Sequence, residues 1–365
     1  MSHLFSPFRL AGLELPNRIV VSPMCQYSAN DGCASDWHMT HMGMLANSGA
    51  GLFVIEATHV ERHGRITHRC LGLYSDDNEA ALARVIDHCR RIGTAKLGVQ
   101  LAHAGRKASS QPPFGGGKAL PAGEDPWQTV APSALPYGPD WHVPREATPA
   151  DIARIRDAFV ASAKRAVRIG FDLIELHYAH GYLGHTFLSP LSNTRTDAYG
   201  GSFENRMRFL RETAQAVRAI VPKEIALGAR ITGSDWLDGG ITPDEAVACA
   251  KLLKEDGLDF VDVSAGGVNS VARNPVTPAY NAPLAARVKE EAGIATRTVG
   301  LIVTPRQAED VIANGQADMV ALGRAMLDNP HWGWHAAHEL GADVARPPQY
   351  ARSGPKLWPA AVPKR

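Results

Sequence analysis

The sequence predicts a closed (β/α)8 barrel, the TIM fold, in a single domain. Three observations predict it. Eight short apolar runs recur along the 365 residues, helical patterns sit between most of them, and hydrogen-bonding side chains gather just past the run ends. An open doubly wound sheet is the competitor, but it rarely needs eight evenly spaced units. The Gly-x-Gly-x-x-Gly turn expected after its first strand is also missing.

Taken in order, the run at 18–22 leads to a helical pattern at 37–47 that Gly49 ends, and the run at 51–56 leads to one at 78–91 that Gly93 ends. The third run, 96–101, is followed by a Pro/Gly-rich stretch, 111–144, which is too long for a simple connection. It marks a loop insertion within 105–147, of the kind that forms lids or subunit contacts. The helix at 149–168 resumes with Thr148 as N-cap and Pro149 at the first helical position. The fourth run, 171–176, is apolar apart from Asp172 and Glu175 and follows the helix-ending Gly170; it reads as a buried parallel strand. Its helix is 203–220, with Ser202 as the candidate cap. The runs at 225–231, 258–264, 296–301 and 318–323 lead to helices at 242–255, 282–291, 304–313 and 331–339. Two of these open on Thr-Pro, at Thr242 and Thr304. Residues 1–345 thus form the barrel, and 346–365 a tail expected to be extended from Pro347.

Composition excludes several classes. A net charge of +1 and a pI near 7.8 give no electrostatic case for nucleic acid or an anionic membrane. No apolar run approaches the roughly 18–20 residues of a membrane span, and the opening MSHLFSPFRL lacks a signal-peptide pattern. Five scattered cysteines, with no Cys-x-x-Cys or other metal spacing, favour free thiols in a reducing cytoplasm.

In a barrel of this kind catalytic residues lie past the C-terminal strand ends. Strand one delivers Ser22, Pro23, Met24, Cys25, Gln26 and Tyr27, strand two Glu56, Ala57 and Thr58, and strand three Gln100, His103, Gly105, Arg106 and Lys107. Strand four delivers His177, His180 and Tyr182, strand five Arg230, and strand six Ser264, Gly266 and Gly267. Gly300 after strand seven, and Gly323 and Arg324 after strand eight, stand where such barrels bind phosphate through backbone amides and a cation. An amide, a fixed cation, a thiol and two imidazoles suit a flat heterocycle with donor and acceptor edges. Blander readings stand beside each. His177 and His180 suit a metal pair or a solvated turn, although no third ligand is obvious. His38 and His41 suit helix packing or a metal, Cys25 a small buried residue, and Arg230 a barrel salt bridge.

Four motifs carry a resemblance: PNRIVVSPMCQY at 16–27, QLAHAGRKA at 100–108, ELHYAHGYLGHTFLSPLSNTRTDAYGGSFENRMRF at 175–209, and ADMVALGRAMLDNP at 317–330. On them the chain resembles the old yellow enzyme flavoproteins, FMN-dependent ene-reductases, and within them the bacterial xenobiotic reductase-like subclass. The resemblance implies FMN across the barrel mouth. Ser22, Pro23, Met24, Cys25 and Ala57 would lie at the ring, Gln100 at its pyrimidine edge and Arg230 at N1–C2, with Gly300, Gly323 and Arg324 at the phosphate. It implies that His177 and His180 bind the activating oxygen of a small-molecule alkene, that Tyr182 donates the proton and that Tyr27 contacts the substrate. It further implies Arg352 reaching a neighbouring subunit in a homodimer or homotetramer, and NADPH or NADH as reductant. Two rivals remain: a metal-dependent hydrolase using His38, His41, His177 and His180, and a non-catalytic flavin or phosphosugar binder.

Overall fold

Eight parallel strands close on themselves in sequence order. They are β1 (Ile19–Val21), β2 (Leu52–His59), β3 (Lys96–Ala102), β4 (Leu173–Tyr178), β5 (Ala226–Thr232), β6 (Phe260–Ser264), β7 (Ala295–Val299) and β8 (Met319–Leu322), with β8 returning to β1. This is a computed structural model, and it describes residues 2–354, 357 and 358. The crossovers are α1 (Asp36–Leu45), α2 (Asp76–Ile92), α3 (Pro149–Ile169), α4 (Phe203–Arg218), α5 (Pro243–Glu255), α6 (Ala282–Ala292), α7 (Pro305–Ala313) and α8 (Trp332–Glu339).

The helices begin where local chemistry starts them. Thr148, Thr242 and Thr304 each accept a hydrogen bond from the backbone N–H three residues on, and Asp151, Glu245 and Gln307 return it to the cap backbone. α3 then buries Ile152, Ile155, Phe159, Ala163 and Ala166, the three-and-four spacing of one helical face.

Inside the barrel, side chains alternate, so every second residue of a strand points to the axis. At the N-terminal end these are apolar: Val20, Leu52, Val54, Leu173, Ala226, Phe260, Met319 and Ala321 form one buried cluster. Gly228 makes room for Phe260, since a Cβ there would lie 2.3 Å from the ring. A hairpin of Phe8–Leu10 and Leu13–Leu15 closes this end with Leu10, Leu13 and Leu15. Fully burying each such side chain is worth about 1.5–3 kcal/mol.

The structure departs from expectation in the tail, where Pro348–Ser353 is a 3-10 helix rather than extended chain. Tyr350 there packs edge-on against His331 and Trp334, which gives the segment a surface to coil upon. Residues 355, 356 and 359–365 of the expected tail lie outside the described residues. The insertion forms short 3-10 turns and one parallel pairing, Val130–Ala131 with Arg145–Glu146.

Candidate active site

The polar end of the barrel begins one layer above Phe260. Six side chains join in a row across it. Gln100 Nε2 donates to Glu175 Oε1 at 2.7 Å, and Arg297 donates to the other Glu175 oxygen. Arg297 Nε and Nη2 also donate to Asp262 Oδ2, at 2.9 and 2.6 Å. The same oxygen accepts from Arg230 Nε at 3.0 Å, and Arg230 Nη2 donates to Ser22 Oγ at 3.0 Å. Burial disfavours the Arg297 charge, but Asp262 and Glu175 outweigh it and hold its pKa above the ordinary value. The salt-bridge reading of Arg230 therefore holds, and it leaves Nη1 without a partner among the described residues, as Gln100 Oε1 is.

Around this floor stand the other strand ends. Ala57 faces Gln100 across a register shift between β2 and β3, and a Cβ on Gly323 would lie 3.6 Å from the Met24 sulfur. Half-buried Cys25, Tyr27 and Tyr182 pack on one small apolar cluster with Ile66, Cys70, Ala104 and Ala108. Burial first, then Cys70 and Glu56, keeps the Cys25 thiol well above its ordinary pKa, so it is a neutral S–H. Gly300 takes φ +129° at the end of β7, and exposed Arg324 opens the short helix Arg324–Asp328 with no side-chain partner among the described residues.

β4 runs two residues further than its apolar pattern, so His177 lies inside the strand rather than past it. It pairs in register with Arg230, and the ladder continues to Tyr178. His180 (φ +62°) and Gly181 (φ +74°) then make a left-handed turn. A Cβ on Gly181 would lie 2.1 Å from the Gly267 carbonyl, so the loops after β4 and β6 meet backbone to backbone. The turn places the His177 and His180 rings at 88°, centroids 5.2 Å apart, with Tyr182 4.9 Å from His177.

Each ring is held in a defined state. Ala179 N–H donates to His177 Nδ1 at 3.4 Å, which leaves Nε2–H as the donor. His180 Nε2 bonds Ser264 Oγ at 2.7 Å. Burial lowers both pKa values well below the ordinary one, helped at His177 by His180 and at both by Arg230 and Lys107, so both rings are neutral. Burial likewise raises the Tyr182 phenol, with Cys25 and Tyr27 adding to it, so the phenol stays protonated.

Three supports carried no assigned role in the sequence. His185 Nδ1 accepts the Gly181 N–H at 2.7 Å while its Nε2 bonds Asp235 Oδ1 at 2.8 Å, which pins the turn from beneath. Its signal was its place inside the long motif. Lys107 Nζ donates to His180 O at 2.8 Å and lies 4.5 and 4.9 Å from the Tyr137 and Tyr182 ring centroids. Burial, then Arg106, pulls its pKa down to about 8. Phe114 of the insertion meets the Tyr27 ring edge-on at 6.0 Å.

Other strand-end candidates stand elsewhere. His103 turns to Glu61 at 2.9 Å. His38 accepts the Ser35 N–H and lies 3.2 Å from Glu56, and His41 stacks on Trp37, so both belong to the start of α1. Among the described residues no three His, Cys, Asp or Glu group to hold a metal. Arg352 is exposed, and no contact among the described residues links it to the mouth.

The family described as NADH:flavin oxidoreductase / NADH oxidase matches residues 3–343. The chain belongs to this family. Its members include old yellow enzyme-type ene-reductases, and the chain is an FMN-dependent oxidoreductase of that type. An NADPH dehydrogenase of Geobacillus thermodenitrificans is 45% identical over 351 residues, 96% of this chain and 98% of that protein. One of Listeria monocytogenes is 42% identical over 97% of this chain and 99% of its own. Among solved structures, morphinone reductase aligns with a TM-score of 0.78 at 26% identity, covering 95% of this chain and 92% of its own. A 2-naphthoyl-CoA reductase complex, at 24% identity and a TM-score of 0.82, covers 93% of this chain and 52% of its own and shares the barrel.

The residues present fit FMN. Gln100 Oε1 and Arg230 Nη1 offer an acceptor and a donor at the two ends of the row, the complement of a flavin pyrimidine edge, and Ala57 and Gly323 are small residues at the same strand ends. Gly300 and unpaired Arg324 suit a phosphate.

Proposed function

We propose that the enzyme uses NADPH to reduce the activated C=C bonds of α,β-unsaturated carbonyl and nitro compounds. The arrangement that carries this reading is two neutral imidazoles at right angles beside a protonated phenol. Ser22, Pro23, Met24, Cys25, Ala57, Gln100 and Arg230 would hold the flavin ring, and Gly300, Gly323 and Arg324 its phosphate. When bound, FMN would supply hydride chemistry, with NADPH as the reductant.

The protein's part is charge and protons. As the alkene is reduced, negative charge gathers on the carbonyl or nitro oxygen. His177 Nε2–H meets that oxygen. With Ser264 Oγ–H donating to His180 Nε2, His180 Nδ1–H meets it too. A fixed donor aimed at developing charge lowers a barrier by about 3–4 kcal/mol. Tyr182 delivers its phenol proton to the α-carbon, and Lys107 beside the ring favours the phenolate left behind. Tyr27 covers the substrate with Phe114 at its edge.

Five free cysteines are consistent with a cytoplasmic protein. A homodimer or homotetramer, with Arg352 reaching a neighbouring mouth, belongs to the same proposal. The test is anaerobic: the yellow holoenzyme bleaches with NADPH and recovers its colour with 2-cyclohexenone. Bleaching that the enone never reverses would overturn the substrate assignment.

A further inference from the structure

We propose that Glu175 and Arg297 are positioning residues that set how the protein binds the flavin pyrimidine edge and at what potential the flavin accepts electrons. This rests on Gln100 and Arg230 being the edge's partners, as argued above.

The inference starts from a cost. Arg297 and Glu175 are both fully buried, and charges taken out of water are expensive unless their pairing does something that apolar packing cannot. Arg297 sits at a boundary, its guanidinium 5.4 Å from the centroid of the Phe260 ring below and its donors on the two carboxylates beside it. A methionine or leucine would continue the apolar layer. An arginine instead ties Glu175, on β4, to Asp262, on β6.

What the tie accomplishes is orientation. A carboxylate only accepts, so Glu175 obliges Gln100 to offer it Nε2 and to turn Oε1 the other way. Gln100 alone, with near-equivalent ends, has no such preference. At the far end Asp262 takes Arg230 Nε and Ser22 takes Nη2, which leaves Nη1 as the free donor. The edge therefore meets an acceptor and a donor in fixed order, matching an N3–H beside a C2 carbonyl. The row holds two arginines and two acids, so its charge sums to zero. Removing Arg297 makes it negative beneath the part of the ring where electrons accumulate, and that lowers the potential.

The experiment uses the holoenzyme and reads two quantities besides turnover: the flavin midpoint potential by dye-coupled titration, and FMN affinity from fluorescence released on dilution. Glu175→Gln is near-isosteric and keeps an acceptor, but no longer dictates which end of Gln100 it meets. It is expected to weaken FMN binding about tenfold, the scale of one hydrogen bond, and to shift the potential. In a Gln100→Leu background the same change should add less than about twofold to the loss. Arg297→Met should lower the potential; should it fail to fold, Glu175→Gln decides alone. Wild-type potential and affinity in Glu175→Gln would overturn the proposal, as would an equal loss of affinity with and without Gln100, since that is a purely structural role. If Gln100→Leu itself binds FMN at wild-type potential and affinity, the parent reading of Gln100 has failed instead.

Discussion

The two ends of this barrel are built from the same strands and obey opposite rules. Along β4 the inward residues are Leu173, Glu175 and His177; along β6 they are Phe260, Asp262 and Ser264. At the lower end the axis is filled by hydrocarbon and closed by the Leu10–Leu13–Leu15 hairpin. At the upper end the inward residues of β4 and β6 are polar, and the buried carboxylates and guanidinium groups are bonded to one another. The middle layer carries Glu175, Asp262, Arg230 and Arg297 as bonded ions, whereas the top layer keeps His177, His180 and Tyr182 neutral. A fold can thus spend two residues of each strand on stability and the next two on chemistry, because alternation keeps the layers apart.

The comparison breaks most visibly at the bottom. Phe260→Ala should cost about 3–5 kcal/mol, read as a lower urea midpoint, while the folded fraction keeps its rate per bound FMN. A large loss of specific rate would mean that the layers are not independent. At the top, His177→Ala should cut the rate of flavin reoxidation by an enone about 10²–10³-fold, with thermal midpoint and FMN content unchanged. Tyr182→Phe should slow the same step about 10²-fold, the low end for a general acid because water can substitute, and spare reduction by NADPH in stopped flow. Equal slowing of both half-reactions would remove its role as donor.

The smallest effect is on stability against pH. His177 and His180 have depressed folded pKa values, so the unfolded chain binds protons first as the medium is acidified. Stability contributed by their neutrality is full above the ordinary histidine value and falls as pH drops below it. His41, lowered to about 4 by burial and by His38, widens the same window. The thermal midpoint should therefore decline from about pH 6.5 toward 4, and less steeply in a His177→Asn, His180→Asn double variant. Identical slopes would place the acid sensitivity elsewhere.

How far the sequence reveals these layers depends on what each signal reports. Apolar runs report burial on both faces, so all eight strands were legible, as were the Thr-Pro helix starts. The hairpin was not, because a charged residue interrupts each of its strands, Phe-Arg-Leu and Leu-Glu-Leu, and leaves no apolar run. β4 was placed two residues short, since the run ends at Leu176 while backbone pairing does not. His177, His180 and Tyr182 stood out by their crowding after an apolar run. Glu175 was noted only as an exception within its strand, and Arg297 in Ala-Thr-Arg-Thr-Val drew no reading. A buried ion pair joins residues 122 positions apart, and nothing local announces it. His185 and Asp235 escaped for the same reason.

The backbone contact between Gly181 and Gly267 has a practical consequence for anyone recruiting this protein to new reactants. A side chain at Gly181 would prise the two loops apart, and one at Gly267 would be strained by its φ of +83° and crowd His180, so diversity there is costly. The insertion offers the freedom: Phe114, 77% exposed against Tyr27, can be swapped without disturbing the donors beneath. Libraries aimed at bulkier or mirror-image products belong on that rim, and those aimed at the turn will mostly return misfolded protein.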